Sequence, residues 1–442
     1  MKHNSINVLI LGSGGREHTI AWKIKQSHFL NKLFVAPGNS GTATIANNID
    51  IKINNYNSIK NTILENKIHI LIIGPEDPLV RGLHNMCKND KDIAHVIIIG
   101  PEKEGAMLEG SKSFAKKFMQ KNQIPTAKYK KFETKNIEPA KLYLKSMSAP
   151  YVIKVDGLAA GKGVFICEDM KNAEKVLESL SINSKFGKAG ETIVIEEFLK
   201  GIEMSVFILT NGKSYKMLPI AKDYKRIGEN DTGLNTGGMG AVSPVPFMNQ
   251  ELLKKVETKI IQPTIKGLQK ASIKYTGFIF FGLINVDGEP YVIEYNVRLG
   301  DPETQVILPR IDTDLLELFI NIENDSLFQN LPLKISQLSA ATVILSSGGY
   351  PEKYSKGHIV AGCNDINDSI VFHAGLKLEN NKYLTNGGRV LAVTSIGDNI
   401  QNAIHKCYSS VEKGAHQDAG RTGGQGRPPR VTGRGSKIRP GG

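Results

Sequence analysis

The chain has few cysteines, four in 442 residues, and none is spaced to chelate a metal or to pair locally. Cys87, Cys167, Cys363 and Cys407 lie far apart without any C-x-x-C or C-x-x-H run. They read as free thiols of a cytosolic protein, and a zinc site is not indicated. Long apolar runs are also missing: nothing approaches the roughly 18 residues that a membrane span requires. The start, Met1-Lys2-His3 and then Ile6–Leu11, has too short an apolar core for a secretory signal. No Ser/His/Asp or Cys/His arrangement suggests a covalent nucleophile. The ten histidines are scattered and read as structural or exposed. What is present is an ordinary globular composition, 40% hydrophobic, at a length that predicts about three domains with their own cores.

A net charge of +13 raises nucleic-acid binding as a reading. Much of the excess sits in residues 414–442, where Arg421, Arg427, Arg430, Arg434, Lys437 and Arg439 face only Asp418. That segment also has nine glycines and no apolar periodicity. It is expected to be a disordered Gly/Arg-rich tail foreign to the Ile-, Lys- and Asn-rich chain before it. The rival reading is a basic tail for nucleic acid. The remaining positive charge forms no block, which suits anionic small-molecule substrates.

The stretch Tyr291–Val306 (YVIEYNVRLGDPETQV) holds the densest chemistry. Its alternation predicts a strand with Ile293, Tyr295 and Val297 on one face and Glu294, Asn296 and Arg298 on the other. The second face offers oxygen ligands suited to Mg²⁺ that is also held by phosphates, followed by a guanidinium that matches phosphate oxygens. Asp287-Gly288 upstream is a hairpin signal, so a solvated polar strand face is the plainer alternative.

In the first hundred residues, Asn7–Leu11, Leu33–Ala36, His69–Ile73 and Val96–Ile99 each end at or beside a glycine. Such runs predict parallel strands of an α/β layer, with ligands outside their carboxyl ends. There lie Gly12-Ser-Gly14-Gly15-Arg16-Glu17, the loop around Gly38, and Gly74-Pro75-Glu76-Asp77. The first loop opens a helix whose free N–H groups are expected to face a bound anion. It is not a dinucleotide fingerprint, because Glu17 stands where the third glycine belongs. A second helix is predicted over Glu109–Gln120. Further on, Asp156-Gly157-Leu-Ala-Ala-Gly161-Lys162-Gly163 lies between two strands, Tyr151–Val155 and Val164–Cys167. A P-loop needs different spacing and a following helix. The alternatives are a hairpin with a mobile tip that folds over a triphosphate and a plain turn. Lys154 sits between Ile153 and Val155, a costly setting unless an anion pairs with it. Residues 222–244 read as a long polar, glycine-rich loop carrying Lys222, Lys225 and Arg226. The strand-like pieces after residue 338 predict a small α+β unit with nothing obviously catalytic.

The motifs VIKVDGLAAGKGV, VIEEFLKGIEMSV, DTGLNTGGMGAVSP and IEYNVRLGDPETQ occur in this order. With GSGGREH, GPEDPLV, SSGGYPEKY and TNGGRV, they make the chain resemble the phosphoribosylamine–glycine ligase family of ATP-grasp enzymes over about residues 5–413. The resemblance implies an N-terminal Rossmann-like domain (1–103) and an ATP-grasp domain (104–327) with a mobile lid at about 125–192. A small C-terminal α+β domain (328–413) follows. It implies ATP-dependent joining of glycine to 5-phosphoribosylamine through an acyl phosphate in purine synthesis. Another ATP-grasp ligase or carboxylase is the alternative. Partners would be small molecules, with no nucleic acid or membrane, in a cytoplasmic monomer or homodimer.

Carried over by residue, Glu294 and Asn296 would hold Mg²⁺ (or Mn²⁺), and Arg298 would steady the transferring phosphoryl group with Lys154 and Asp301. Lys112 and Lys154 would meet the ATP phosphates under a flap that includes Gly157, Gly161 and Gly163. The Glu196 carbonyl and Leu199 N–H would bracket adenine, and Glu203 would take the ribose. Gly14, Gly15, Arg16, Glu17, Pro75 and Glu76, with Lys225, Arg226, Gly237, Gly238 and Gly240, would contact phosphoribosylamine and glycine. Two departures stand out. The strand Phe280–Val286 supplies only Asn285 where a second acidic metal ligand is common, leaving Asp301 or Glu303 as substitutes. The family's segment beyond Lys413 is replaced by the Gly/Arg-rich tail. Alanine at Glu294 or Arg298 is expected to reduce turnover by orders of magnitude while leaving the fold intact.

Overall fold

The computed structural model describes residues 5–159, 161–182, 184–230 and 232–414. The tail 415–442, Ala160 of the glycine flap and Asp231 of the 222–244 segment lie outside the described residues.

The chain begins with five parallel strands: β1 (Ile6–Gly12), β2 (Leu30–Pro37), β3 (Asn47–Asn48), β4 (Ile70–Ile73) and β5 (Ile97–Ile99). Their order is β3-β2-β1-β4-β5. Apolar side chains run almost without break because both faces are covered: Leu9 and Leu11 enter one core cluster, Val8 and Ile10 the other. The order reverses at β1, and the crevice there takes the loops after β1 and β4. This sets Gly12–Glu17 beside Pro75 and Glu76.

A four-stranded antiparallel sheet follows, β6 (Tyr129–Glu133), β7 (Tyr151–Val155), β8 (Val164–Cys167) and β9 (Thr192–Glu197), in the order β6-β9-β7-β8. Helices Glu138–Lys145 and Met170–Ile182 cover one face, so Phe132, Ile153, Leu177 and Ile195 share a cluster drawn only from this unit. The glycine segment joins β7 to β8 as a hairpin, with Tyr151 opposite Cys167.

From β9 the chain crosses into a second antiparallel sheet of β10 (Ile202–Thr210), β11 (Tyr215–Met217), β14 (Gly277–Val286) and β15 (Glu289–Asn296), ordered β11-β10-β14-β15. Asp287 and Gly288 turn β14 into β15 with φ of 49° and 84°, the left-handed pair a tight hairpin demands. The simple alternation predicted for β15 is corrected here. Gly282 faces Glu294 but Leu283 faces Val292, so Ile293 is the extra residue of a bulge. Val292, Tyr295 and Val297 enter the core. Ile293, Glu294, Asn296 and Arg298 line the cavity at the site, together with an edge of Tyr295.

Residues 222–244 are not a loop. They form β12 (Lys222–Arg226) and β13 (Asn235–Ser243), paired antiparallel. These join β16 (Ser339–Ser346), β18 (Ile370–His373) and β21 (Arg389–Gly397) in the order β12-β13-β16-β21-β18. A small sheet of β17 (Ile359–Val360), β19 (Leu376–Glu379) and β20 (Lys382–Thr385) stands beside it. The glycines that suggested a loop are there because neighbours fill their side-chain space. A Cβ on Gly238, at φ +114°, would lie 2.4 Å from Pro302 Cδ.

The helix predicted over Glu109–Gln120 is two helices, Lys103–Gly110 and Lys112–Lys121. Ser111 is extended and caps the second by accepting from Phe114 N–H. Among the described residues, no helix is long and apolar enough to cross a membrane.

Candidate active site

The facing edges of these units enclose a cavity of about 590 Å³. Its walls include Gly14, Arg16, Glu17, Pro75, Glu76, Lys112, Lys154, Gly161, Gly163, Glu196, Glu203, Lys225, Gly237, Glu294, Asn296, Arg298 and Asp301. Gly15, Gly157, Leu199, Arg226, Gly238 and Gly240 are not part of its lining. Gly15 packs under Gln305, and Gly240 lies within β13 opposite Tyr224 and Val343. Arg226 donates to the Gly233 carbonyl at 2.8 Å. Gly238 packs on Pro302.

Arg298 is gripped by two carboxylates, Glu109 at 2.7 Å and Glu76 at 3.3 Å. Glu109 also accepts from Val297 N–H at 2.8 Å, which fixes the end of β15. Burial pushes the Glu109 carboxyl up, against the pull of Arg298. Burial acts on Glu76 in the same sense, but Arg298 and Arg16 outweigh it and hold that carboxyl below its ordinary value.

Glu294 remains open to the cavity, with Asn296 beside it at 3.4 Å. Burial opposes its charge, yet Lys225, Lys154 and Lys112 together hold its carboxyl down. It is therefore an ionised oxygen donor amid cations. Among the described residues, no group of three His, Cys, Asp or Glu side chains is arranged to hold a metal alone. A carboxylate and an amide oxygen fit instead a divalent ion that arrives with phosphates. Asn285 does not help: it lies outside the cavity, opposite Ile202 and Pro290. The cavity's other acids come from different strands, as Glu203 on β10, Asp223 on β12 and Glu303 after β15.

The helix N-terminus at Gly14–Arg16 is not an open anion cradle. Glu17 turns back to accept from Gly14 N–H at 2.7 Å, a capping box, and Asp301 accepts from Arg16 N–H at 3.2 Å. The Asp301 carboxylate also takes Gln305 Nε2 at 2.9 Å and lies 3.5 Å from Arg389. Burial works against its charge, but Arg389 and Arg16 keep it ionised. Both oxygens are thus engaged, and a metal-ligand role for Asp301 does not fit. Glu303 accepts from Ser205 at 3.0 Å, and burial with the nearby Asp223 pushes its carboxyl up to about 7.

Lys154 has the anion its setting required: Glu196 Oε2 at 3.0 Å, shared with Lys116 at 2.9 Å. Lys154 also donates to the Ile293 carbonyl at 3.3 Å. Burial lowers Lys116 to about 8 despite Glu196. Glu196 therefore presents its carboxylate, whereas its backbone lies inside the sheet opposite both Tyr129 and Val152. The expectation that its carbonyl reaches adenine is corrected on that ground. Its Oε1 is buried with no hydrogen-bond partner among the described residues. Lys225 contacts Glu203 directly and lies 3.7 Å from Asp223.

Lys112 differs from these lysines. Its ammonium donates to the Gly157 carbonyl at 3.1 Å, and among the described residues no carboxylate lies within ion-pair distance. Asp156, at the root of the flap, accepts from Ser113 N–H at 2.6 Å and from the Ser111 hydroxyl at 3.0 Å. Its carbonyl takes Lys112 N–H at 3.0 Å. The flap root and Lys112 are thereby held as one piece.

Sequence reasoning missed Glu109, Lys116, Asp223 and Arg389. Lys116 follows Lys112 by four residues and Asp223 precedes Lys225 by two, so helix and strand periodicity could have found both. Glu109 and Arg389 meet their partners across 189 and 88 residues, and carry no local signal.

Raised Glu303 has a consequence for pH. Folded, its carboxyl keeps a proton to about pH 7, whereas its ordinary value is 4.5. The folded state then binds more protons in that window, so stability falls as pH rises through it. Denaturant melts at pH 5 and pH 7.5 should show a smaller loss for Glu303→Gln than for the unsubstituted protein. Equal losses would mean that Glu303 is not the group responsible.

Two opposed sheets closing on a cleft lined by charged side chains of both signs, beneath a glycine flap, define the ATP-grasp class. The biotin carboxylase domain of Hydrogenobacter thermophilus 2-oxoglutarate carboxylase shares this fold at 15% identity and a TM-score of 0.71, over 92% of this chain and 91% of that one. The sequence narrows the class. Residues 6–109, 110–304 and 340–421 match the N, ATP-grasp (A) and C domains of phosphoribosylglycinamide synthetase. A phosphoribosylamine–glycine ligase of Fusobacterium nucleatum is 43% identical over 93% of this chain and 96% of its own length. The crystal structure of the Thermotoga maritima phosphoribosylamine–glycine ligase has 35% identity and a TM-score of 0.79, covering 93% of this chain and 98% of that one. The chain belongs to the phosphoribosylamine–glycine ligase family.

Proposed function

We infer that the protein joins glycine to 5-phosphoribosylamine with ATP, releasing ADP and phosphate and giving glycinamide ribonucleotide for purine synthesis. The observation that carries the site assignment is Lys112, a largely buried ammonium with no ion-pair partner among the described residues, on the same wall as Glu294 and Asn296. Lys112 and Lys154 bind the triphosphate under the Gly161–Gly163 flap. The unpartnered Glu196 Oε1 suits an N–H donor such as the adenine amino group. Glu294 and Asn296 would hold Mg²⁺ (or Mn²⁺), which would supply charge neutralisation to the triphosphate.

In the first step a glycine carboxylate oxygen attacks the γ-phosphorus and the bond to ADP breaks, giving glycyl phosphate. Arg298, held between Glu76 and Glu109, faces the charge that develops on the transferred group. In the second step the phosphoribosylamine nitrogen attacks the glycyl carbonyl, phosphate leaves, and the nitrogen loses a proton. Positioning and fixed charge do the work, without a protein nucleophile. We assign the amine substrate to the end lined by Arg16, Glu76 and Gly237. The protein is proposed to act in the cytoplasm as a monomer or homodimer.

The test is ADP formation from Mg-ATP with glycine and freshly generated phosphoribosylamine varied separately. Turnover that needs both supports the assignment. Turnover indifferent to glycine but dependent on bicarbonate or another acid would replace it with a different ATP-grasp reaction.

A further inference from the structure

Three stretches of backbone meet where Gly237, Asp301 and Arg389 line the cavity, and one side chain holds them together. Arg389 begins β21, in the part of the chain where the sequence showed no chemistry. Its Nη1 donates to the carbonyls of Gly237 at 2.6 Å and Asp301 at 2.6 Å, with Gly238 at 3.4 Å. Its Nη2 lies 3.5 Å from the Asp301 carboxylate, which itself receives Arg16 N–H at 3.2 Å. One guanidinium thus links β13, the 300–303 loop, β21 and, through Asp301, the first helix. Those segments fall in all three matched regions of the chain.

The other side of the Gly237 peptide is held as well. Gly237 N–H donates to the Tyr350 hydroxyl at 3.1 Å, so Tyr350 and Arg389 fix the donor and acceptor of one residue. A side chain at Gly237 would press on this guanidinium, with its Cβ 3.2 Å from Arg389 Cζ. Gly237 and Arg389 both line the cavity, whereas Tyr350 does not.

We propose that Arg389, with Tyr350 behind Gly237, is the positioning residue that shapes the amine-accepting end of the cavity. The inference rests on the ligase reading above. Arg389 acts through the peptides of Gly237 and Asp301, and its loss would let both drift without touching the Lys112–Lys154 end. A lysine keeps the charge but lacks the second nitrogen of the planar fork, the Nη2 that lies against the Asp301 carboxylate.

The test is steady-state kinetics on Arg389→Ala, Arg389→Lys and Tyr350→Phe, varying phosphoribosylamine and ATP in turn. Losing charge-assisted hydrogen bonds should raise the KM for phosphoribosylamine in Arg389→Ala by about ten- to a hundredfold. The KM for ATP should change far less. Arg389→Lys should fall between, and Tyr350→Phe, which removes one neutral bond, should shift the same constant by about threefold to tenfold. Equal rises for ATP and the amine, or an unchanged amine KM, would overturn the proposal. If Arg389→Ala does not fold, Tyr350→Phe decides it by the same criterion. An unsubstituted protein that forms no glycine- and amine-dependent ADP would instead sink the ligase reading.

Discussion

Glu294→Ala should lower glycine- and amine-dependent ADP release by about 10²- to 10³-fold, the range seen when a preorganised charge is removed from a reacting centre. The fold should tolerate the change. Glu294 is open to the cavity, and its side-chain hydrogen bond with Asn296 is a long one, at 3.4 Å. Removing the carboxylate takes from Lys112 the nearby negative charge that most favours its ammonium, and excess Mg²⁺ brings no negative ligand in its place, so it should not restore the rate. Rate and thermal melt measured on the same preparation provide the check. A nearly normal rate would take Glu294 out of the mechanism.

Arg298→Ala should be different, costing both turnover and stability. The expectation from sequence is a phosphate ligand whose loss leaves the fold intact, but the guanidinium is the counter-charge for Glu109 and Glu76. Leaving a buried carboxylate unpaired typically destabilises by about 3–5 kcal/mol. Glu109→Gln in the Arg298→Ala background should recover part of that loss, because the amide still accepts from Val297 N–H without a charge. The recovery should appear in denaturant melts and not in ADP release. A single variant that melts like the unsubstituted protein would show that the Glu109 pair contributes little.

Glu294, Asn296 and Arg298 all line one cavity. That grouping was legible because the three follow one another along β15 and just past it. So were the four parallel strands, since unbroken Val/Ile/Leu runs of that length between helical segments fit a sheet covered on both faces. The bulge at Ile293 was not, since it depends on how β14 meets β15. Glycines hid β13 for a related reason: Pro302 and Arg389 occupy the space where its side chains would stand, and both come from other parts of the chain. The first helix misled in the opposite direction. Its glycine loop has the look of an anion cradle, yet the protein's own Asp301 and Glu17 fill it. Local pattern shows what a segment can bind, but only the fold shows what has already bound there.

The sheet that bears the glycine flap encloses an oily interior of its own, built around Ile153, Leu177 and Ile195. Polar ties join it to the rest: Glu196 to Lys116, Lys154 to the Ile293 carbonyl, and Asp156 with Gly157 to the helix that starts at Lys112. We predict that such a piece moves as a solid body without wetting its centre, and that added electrolyte, by weakening these polar ties, loosens it more readily than it unfolds the molecule.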